Sequence, residues 1–407
     1  MPFTRNYRRR RLLRSRLVVL GFSLLTMAPA MFAATPQNAN ANKGSLQELE
    51  KAADAARERG DTQASLKLYQ RVVTRAPSWQ EGWFYLGSLQ YDGNNYGEAV
   101  KAFRKLVQLN GELPDAWALL GLSEFELKDY AHAVEDLQKA EQLGVDEPLR
   151  DIADYHRALL MNERGDSDGA LLVLSALYLR GDRSENLQVA LGLSLLRVPL
   201  LPSQLDPSRD ALVHDAGNLA SLLAARRTDE ADLAFRDMLS RYPKTQFLHY
   251  AYGGMLASVG HDTEAKAQFK METELNPESA LAYLEWAFVC MKSKEYEEAA
   301  RLARRAIEIN SDSFLAHYIA GNSLLLSADP AGARPELEQA KALAPGMPDI
   351  RYSLSRTYAR LGEPALARQE QAEFLTLQRK NAMDRLKLQK RYLGAASVTG
   401  MRPITAQ

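Results

Sequence analysis

Residues 83–103, WFYLGSLQYDGNNYGEAVKAF, decide the fold of this chain, because their landmarks return in residues 117–137, WALLGLSEFELKDYAHAVEDL. Each copy has a Trp, a Leu-Gly pair three residues later, then a Tyr and an Ala at matching positions. Farther out, alanines keep the same period of 34 residues, with two slips, at Ala99, Ala133, Ala170, Ala231, Ala265, Ala299, Ala333 and Ala367. A period of this length predicts stacked helical hairpins.

Apolar residues at three- and four-residue steps predict two helices of about 12–14 residues in each unit. Turn residues separate the two helices at Gly60-Asp61, Asn94-Asn95, Lys128-Asp129, Gly165-Asp166, Gly260-His261 and Gly362-Glu363. Second helices end near Pro77, Pro243, Pro277 and Pro345, since proline lacks a backbone donor and restricts the residue before it. The recurring small residues let the two helix axes approach to about 8 Å.

The motif Trp-x-x-Leu-Gly at 83–87 and 117–121, with Tyr-x-x-Ala-x-x-x-Phe at 96–103, resembles the tetratricopeptide repeat (TPR) family. The resemblance covers about residues 46–381. It implies an all-α, right-handed α-solenoid of about nine helix-turn-helix repeats. It also implies a concave groove, lined by the first helix of each repeat, in which such proteins bind partners.

The repeat phase predicts a first stack of units over 46–196 and a second over 212–393. Between them, Pro199, Pro202 and Pro207 exclude a helix from residues 197–211. This segment is interpreted either as a rigid elbow between two stacks or as a simple insertion loop. The absence of Gly and Pro from Ala365 to Leu393 predicts an extended capping helix, followed by a flexible tail over 394–407.

The N-terminus has the parts of a secretory signal peptide over 1–34: an Arg-rich start, a short apolar run, and small residues near Ala30 and Ala33. Residues 35–45 then resemble a disordered spacer. We expect export to the periplasm or secretion in a bacterial-type protein, with a retained membrane anchor as the alternative. The chain has 51 basic and 51 acidic residues, but residues 1–34 hold seven arginines and no acid, which leaves 44 against 51 and a net charge of −7.

No motif for catalysis, a cofactor or a metal is recognisable, so we expect a protein that is not an enzyme. The histidines lack metal-ligand spacing, no glycine-rich phosphate loop is present, and Ser88 and Ser194 lack the second glycine of a nucleophile elbow. The single cysteine, Cys290, is interpreted as a small buried hydrophobe. No basic stripe suggests nucleic acid.

Once the phase is fixed, one face of the first helices is unusually aromatic, and the resemblance implies that this face lines the groove. The candidate partner-binding residues are Phe84, Tyr91, Phe125, Tyr155, Phe247, Tyr250, Phe288, Tyr318, Tyr352, Arg356 and Arg360. Acids line the face in the first stack, at Glu81, Asp92, Asp115, Glu126 and Glu163, whereas arginines lie near the other end. The alternative for any one aromatic residue is that it belongs to the core.

These features favour a non-catalytic protein–protein interaction scaffold in the cell envelope that binds a peptide segment or a partner helix. Two alternatives stay open: a periplasmic chaperone or assembly factor for a secretion or pilus machine, and an accessory subunit of an envelope enzyme complex. The basic C-terminal helix is interpreted as a solvated cap, or else as a surface for an acidic partner or an anionic membrane.

Overall fold

The computed structural model describes residues 43–398, with side chains described over 46–383. Within these residues it contains nineteen α-helices, two short 3-10 helices and no β-strand. The helices are α1 (Lys43–Glu58), α2 (Thr62–Arg75), α3 (Gln80–Asp92), α4 (Tyr96–Leu109), α5 (Pro114–Glu126), α6 (Tyr130–Leu143), α7 (Leu149–Glu163), α8 (Ser167–Arg180), α9 (Glu185–Leu195), α10 (Asp210–Ala224), α11 (Thr228–Arg241), α12 (Leu248–Ser258), α13 (Asp262–Leu275), α14 (Ala280–Lys292), α15 (Tyr296–Ile309), α16 (Phe314–Leu326), α17 (Pro330–Leu343), α18 (Pro348–Arg360) and α19 (Pro364–Val398).

The chain divides into two units, Met1–Ala231 and Asp232–Gln407. Within each unit, helices pack mainly against the helices before and after them in the sequence, and the first helices of consecutive hairpins also touch. This is the arrangement that a solenoid requires, since each hairpin buries its apolar surface only against its neighbours. The predicted all-α fold of stacked helical hairpins is confirmed.

The periodic alanines lie where the two helices of a hairpin meet, and all eight are buried. A glycine on the first helix faces the same contact. A Cβ atom added at Gly121 would lie 2.8 Å from Leu137 Cγ and 3.1 Å from the Ala133 carbonyl oxygen, too close for any side chain. Small residues therefore recur because the helix backbones approach each other at these points.

Each predicted hairpin turn places its first residue in the left-handed region of backbone space, which favours glycine and asparagine. These residues are Gly60, Asn94, Lys128, Gly165, Gly260 and Gly362. Lys294 and Ala328 adopt the same conformation in turns that the sequence does not mark with a typical turn residue. The repeated backbone geometry, and not the residue type alone, sets the turn.

The prediction that residues 197–211 separate two stacks needs correction, because α9 packs directly against α10 across this segment. A Cβ atom on Gly192 of α9 would lie 2.0 Å from the Val213 carbonyl oxygen, and one on Gly217 of α10 would lie 2.0 Å from the Gln188 carbonyl oxygen. The prolines lie in a loop within the first unit, with 3-10 turns at Pro202–Gln204 and Pro207–Arg209. The division into units falls at Ala231 instead.

The ends of the array also differ from the predicted boundaries. The first helix begins at Lys43, inside the segment 35–45 predicted as a spacer, and the last helix runs past Leu393 to Val398, into the predicted tail 394–407. The signal peptide predicted over 1–34 lies outside the described residues. Among the helices that are described, none has both the length and the apolar composition needed to cross a membrane.

Candidate protein-binding site

The residues proposed from the sequence lie on or near one side of the first helices α3, α5, α7, α12, α14, α16 and α18. We call this side the first-helix face. It occurs in both units.

In the first unit, two predicted surface aromatics belong to the core. Phe84 is only 2 % exposed, and its ring packs edge-on against Phe103, with 6.4 Å between centroids. Tyr91 is 7 % exposed and packs edge-on against Tyr96 at 5.4 Å. The packing of each first helix against the following second helix covers these rings, so neither ring can serve as a partner's main contact.

A chain of rings joins α5 to α7 on the same face. Phe125 packs edge-on against His156 with 4.7 Å between ring centroids, and Tyr155 packs edge-on against the same imidazole at 5.4 Å. His156 Nδ1 donates to the Ile152 carbonyl oxygen over 2.7 Å, and burial lowers the pKa of the imidazole. His156 is therefore a neutral aromatic link, although the sequence analysis assigned it no part in this face.

Several carboxyl groups on this face of the first unit have no ion-pair partner among the described residues. Glu81, Asp92, Asp115, Glu126 and Glu163 make no ion pair with any residue over 46–383. Partial burial raises the pKa of Asp92 to about 6, and burial with the nearby Asp146 carboxylate raises that of Asp115 to about 6. Burial also raises the pKa values of Glu81 and Glu126. Partial burial therefore favours the protonated form of Glu81, Asp92, Asp115 and Glu126, and none of these four carboxyl groups forms an ion pair within residues 46–383.

In the second unit, Phe247 and Tyr250 are tied to the start of α12. The Phe247 and Tyr250 amides donate to the two oxygens of the fully buried Glu272 carboxylate, over 2.8 and 3.3 Å. Since the first amides of a helix lack partners within it, Glu272 acts as a cap supplied by α13. The Phe247 and Tyr250 rings meet edge-on at 6.3 Å and stay partly exposed.

In the later repeats of the second unit, aromatic residues on this face are more exposed to solvent. Phe288 and Tyr352 are 47 % and 49 % exposed, and Tyr318 is half-buried. The Arg356 guanidinium lies 5.7 Å from the centre of the Tyr352 ring, and Arg360 donates to the Leu325 carbonyl oxygen. Phe288 and Tyr352 are therefore the predicted aromatics best placed to contact a partner.

The described residues offer no sign of a metal or redox site. Over this part of the chain, no group of three His, Cys, Asp or Glu side chains could hold a metal ion. Cys290 is buried, and burial raises the pKa of its thiol to about 12, so the thiol stays protonated. An inert, packed cysteine is what the sequence predicts.

A tetratricopeptide repeat family model matches residues 50–114, 88–148 and 318–382. The described hairpins over 50–148 and 318–382 therefore match tetratricopeptide repeats. The matched residues include α3 and α5 of the first unit, and α18 of the second unit, which carries Tyr352 and Arg356.

Among curated proteins, part of this chain is similar to anaphase-promoting complex subunit 3 of Schizosaccharomyces pombe, with 24 % identity over 164 residues. The match covers 40 % of this chain and about a quarter (24 %) of the relative's length. Solved structures that are similar include MamA (21 % identity, TM-score 0.39, 40 % of this chain and 96 % of that one). A MamA fragment from Desulfovibrio magneticus RS-1 matches at 17 % identity and TM-score 0.39, over 41 % and 94 % of the two chains. Cut9–Hcn1 matches at 14 % identity and TM-score 0.34, over 82 % and 79 %.

Proposed function

We propose that this TPR protein is a non-catalytic protein–protein interaction scaffold of the cell envelope, which binds a peptide segment or a partner helix along the first-helix face. The proposal rests on the exposure and the charge of the side chains on that face within residues 46–383. In the second unit this face carries partly exposed aromatic rings, Phe288 and Tyr352 above all, and in the first unit it carries carboxylates that form no ion pair with a described residue. Aromatic side chains with adjacent charge are typical of protein interfaces.

The role as a scaffold is also supported by the lack of a recognisable reaction centre among the described side chains. TPR units supply rigid helices with an extended surface, which suits binding along a length of chain. The proposed envelope location rests on the Arg-rich and apolar pattern of residues 1–34. Cell fractionation with intact-mass measurement tests it, because a protein that is found in the cytoplasm with Met1 retained would exclude export.

Site-specific photo-crosslinking in cells tests the binding face. The photoreactive residue is placed at Phe288 or at Tyr352, and in a matched control at Leu172, which is 74 % exposed on the second helix α8. We expect one dominant protein adduct from Phe288 and Tyr352 and none from Leu172. Adducts from Leu172 alone, or equal adducts from all three positions, would reject the first-helix face. Many weak adducts at the face would favour a chaperone.

A further inference from the structure

A carboxylate occupies a core position of α5 in the first unit. Glu124 is only 1 % exposed, whereas the equivalent positions of two other repeats hold the buried residues Leu256 and Leu324. The Arg104 guanidinium, which comes from α4, donates to Glu124 Oε1 over 2.6 Å. Burying an ionised carboxylate is costly unless its oxygens are hydrogen-bonded. The other oxygen, Oε2, therefore needs a donor as well.

Glu124 Oε2 is buried, yet no N–H or hydroxyl group over residues 46–383 donates to it. The neighbouring group is a second carboxyl group, that of Asp136 from α6, which is hydrogen-bonded to the Glu124 carboxyl group. Two ionised carboxylates have no hydrogen to share, so one member of such a pair must carry a proton. A single proton between α5 and α6 thus satisfies both carboxyl groups.

The two carboxyl groups differ in their access to a cation. Arg104 forms an ion pair with Glu124, whereas Asp136 forms no ion pair with any residue over 46–383. A carboxylate beside a cation stays ionised more readily than one beside another carboxylate. Glu124 is therefore the acceptor of the pair, and Asp136 is the member that carries the proton.

The other charged groups near the pair have partners of their own. His132, one turn before Asp136 on α6, is hydrogen-bonded through Nδ1 to the Asp129 carboxylate over 2.8 Å, and this bond raises the pKa of the exposed imidazole. From α7, which packs against α6, Arg157 pairs with Glu141 over 3.0 Å. Within the described side chains, Arg104 is the one cation that forms an ion pair with either carboxyl group.

The surroundings of Asp136 favour its protonated form. Burial, the hydrogen bond with Glu124 and the negative charge of Glu124, in this order, raise the pKa of the Asp136 carboxyl group to about 8 from an ordinary value of 3.8, while Arg104 and His132 oppose the shift. An unfolded chain releases the same proton near pH 4. The contribution of Asp136 to the free energy of unfolding therefore falls as pH rises from about 4 to about 8 and is constant above.

We propose that Glu124 and Asp136 form a proton-binding pair, which stabilises the contact between α5 and α6 while it holds the proton and weakens this contact once the proton is lost. The Asp136 carboxyl group donates its O–H to Glu124 Oε2, and Arg104 donates to Glu124 Oε1, so three side chains join α4, α5 and α6. After deprotonation, two adjacent negative charges share one guanidinium group and repel each other. This pH-sensitive contact is independent of what the first-helix face binds.

Thermal unfolding of the full chain between pH 4 and pH 9.5 tests the proposal with Asp136→Asn, whose amide N–H replaces the carboxyl O–H at every pH. We expect the variant to match the wild type in thermal midpoint near pH 4 and to exceed it increasingly up to about pH 8, by roughly 4 °C, with a constant difference above. Asp115 and His132 are the same in both proteins, so their own titrations cancel in the difference. A difference that does not change between pH 5 and pH 8 would overturn the proposal.

Two further variants separate the hydrogen bond from net charge. Glu135→Gln removes an exposed carboxylate from the neighbouring position of α6, and we expect its midpoint to stay within about 1 °C of the wild type throughout the pH range. Asp136→Ala leaves Glu124 Oε2 without a donor, so we expect it to be less stable than Asp136→Asn at every pH. Equal midpoints for the two Asp136 variants, or an equal pH dependence in Glu135→Gln, would overturn the proposal.

Infrared difference spectroscopy detects the proton itself, because the carbonyl stretch of a carboxylic acid is separate from the bands of an ionised carboxylate. We expect the wild type to show a carboxylic acid band at pH 7 that disappears by pH 10, and Asp136→Asn to lack this band. The measurement on the wild type does not require a variant to fold. If the wild type loses no carboxylic acid band between pH 7 and pH 10, the proposal fails.

Discussion

Trp117 is held by both its ring and its indole N–H, which donates to the Gly111 carbonyl oxygen over 2.8 Å. The same bond to the carbonyl six residues earlier recurs in other repeats: Trp83 to Pro77, His317 to Ser311 and Arg351 to Pro345, over 2.9, 3.2 and 3.5 Å. Three chemically different side chains thus fix the loop that precedes a first helix. The shared property is an N–H donor at the first turn of the helix.

Two substitutions at Trp117 separate packing from the hydrogen bond. Trp117→Phe keeps an aromatic ring but leaves the Gly111 carbonyl unpaired, so we expect a loss of about 1 kcal/mol in the free energy of unfolding. Trp117→Ala also removes the ring, for a loss of about 3 kcal/mol. Urea denaturation measures both, and an unchanged midpoint for Trp117→Phe would mean that the loop does not depend on the indole N–H.

The sequence identifies these tryptophans through their spacing but not their bond, because an alignment of Trp83 with Trp117 suggests only a packing role. The histidine at 317 and the arginine at 351 occupy the same repeat position as the tryptophans, but their shared hydrogen bond becomes visible only in the geometry. The burial of Phe84 and Tyr91 could not be predicted from the sequence either. Helical spacing places them on the first-helix face, but the reach of the Phe103 and Tyr96 rings, which buries them, is a matter of packing.

Asp115 gives a pH-dependent test at the residue scale. Burial and the nearby Asp146 carboxylate raise its pKa to about 6 from an ordinary value of 3.8. As pH rises between these two values, the unfolded state releases the proton before the folded state does, so stability falls. The penalty is absent below about pH 4 and complete above about pH 6.

Asp115→Asn removes this penalty. We expect the variant to exceed the wild type in thermal midpoint by roughly 2–4 °C at pH 7.5 and to match it near pH 4. Calorimetry at several pH values measures the difference. A difference that stays constant with pH would show that the buried charge at Asp115 is not its source.

At the scale of elements, the crossing of α9 and α10 depends on two glycines that face each other's backbones. Since the atoms nearest to an added Cβ on Gly192 belong to the Val213 carbonyl group, the two helices would have to separate to admit it. Residues 196–209 separate the two helices in sequence and contain three prolines. For this reason the sequence periodicity does not reveal that α9 packs against α10. The hairpins with short turns are predictable because their helices adjoin in the sequence.

Gly192→Ala therefore destabilises the first unit, by about 3 kcal/mol in the free energy of unfolding. Gly97→Ala is the matched control, because Gly97 is exposed in α4 and an added Cβ there meets no atom within 4 Å. We expect this control to be neutral or stabilising by up to about 1 kcal/mol. Equal stability of the two variants in urea denaturation would contradict the close crossing.

At the scale of the whole molecule, charged residues recur at the ends of first helices, although the formal net charge of zero conceals this pattern. Four first helices of the first unit, α1, α3, α5 and α7, end on acids, whereas α14 and α18 of the second unit end on bases. The repeat phase alone predicts the acids at Asp92, Glu126 and Glu163 on the first-helix face. Their position at the last residue of each helix, and the lack of an ion pair to any residue over 46–383, become visible only from the helix bounds and the contacts of the folded chain.

Because each helix packs mainly against its neighbours in sequence, a core mutation should destabilise only the repeats around it. Phe269 of α13 is fully buried, and we expect Phe269→Ala to cost about 4 kcal/mol locally. Since α13 packs against α12 and α14, amide hydrogen exchange should speed up in α12–α15. Exchange in α3–α6 should stay unchanged, because stability in a solenoid is a sum of local terms. Exchange-coupled mass spectrometry measures both regions, and faster exchange in α3–α6 would mean that the repeats unfold as one cooperative body.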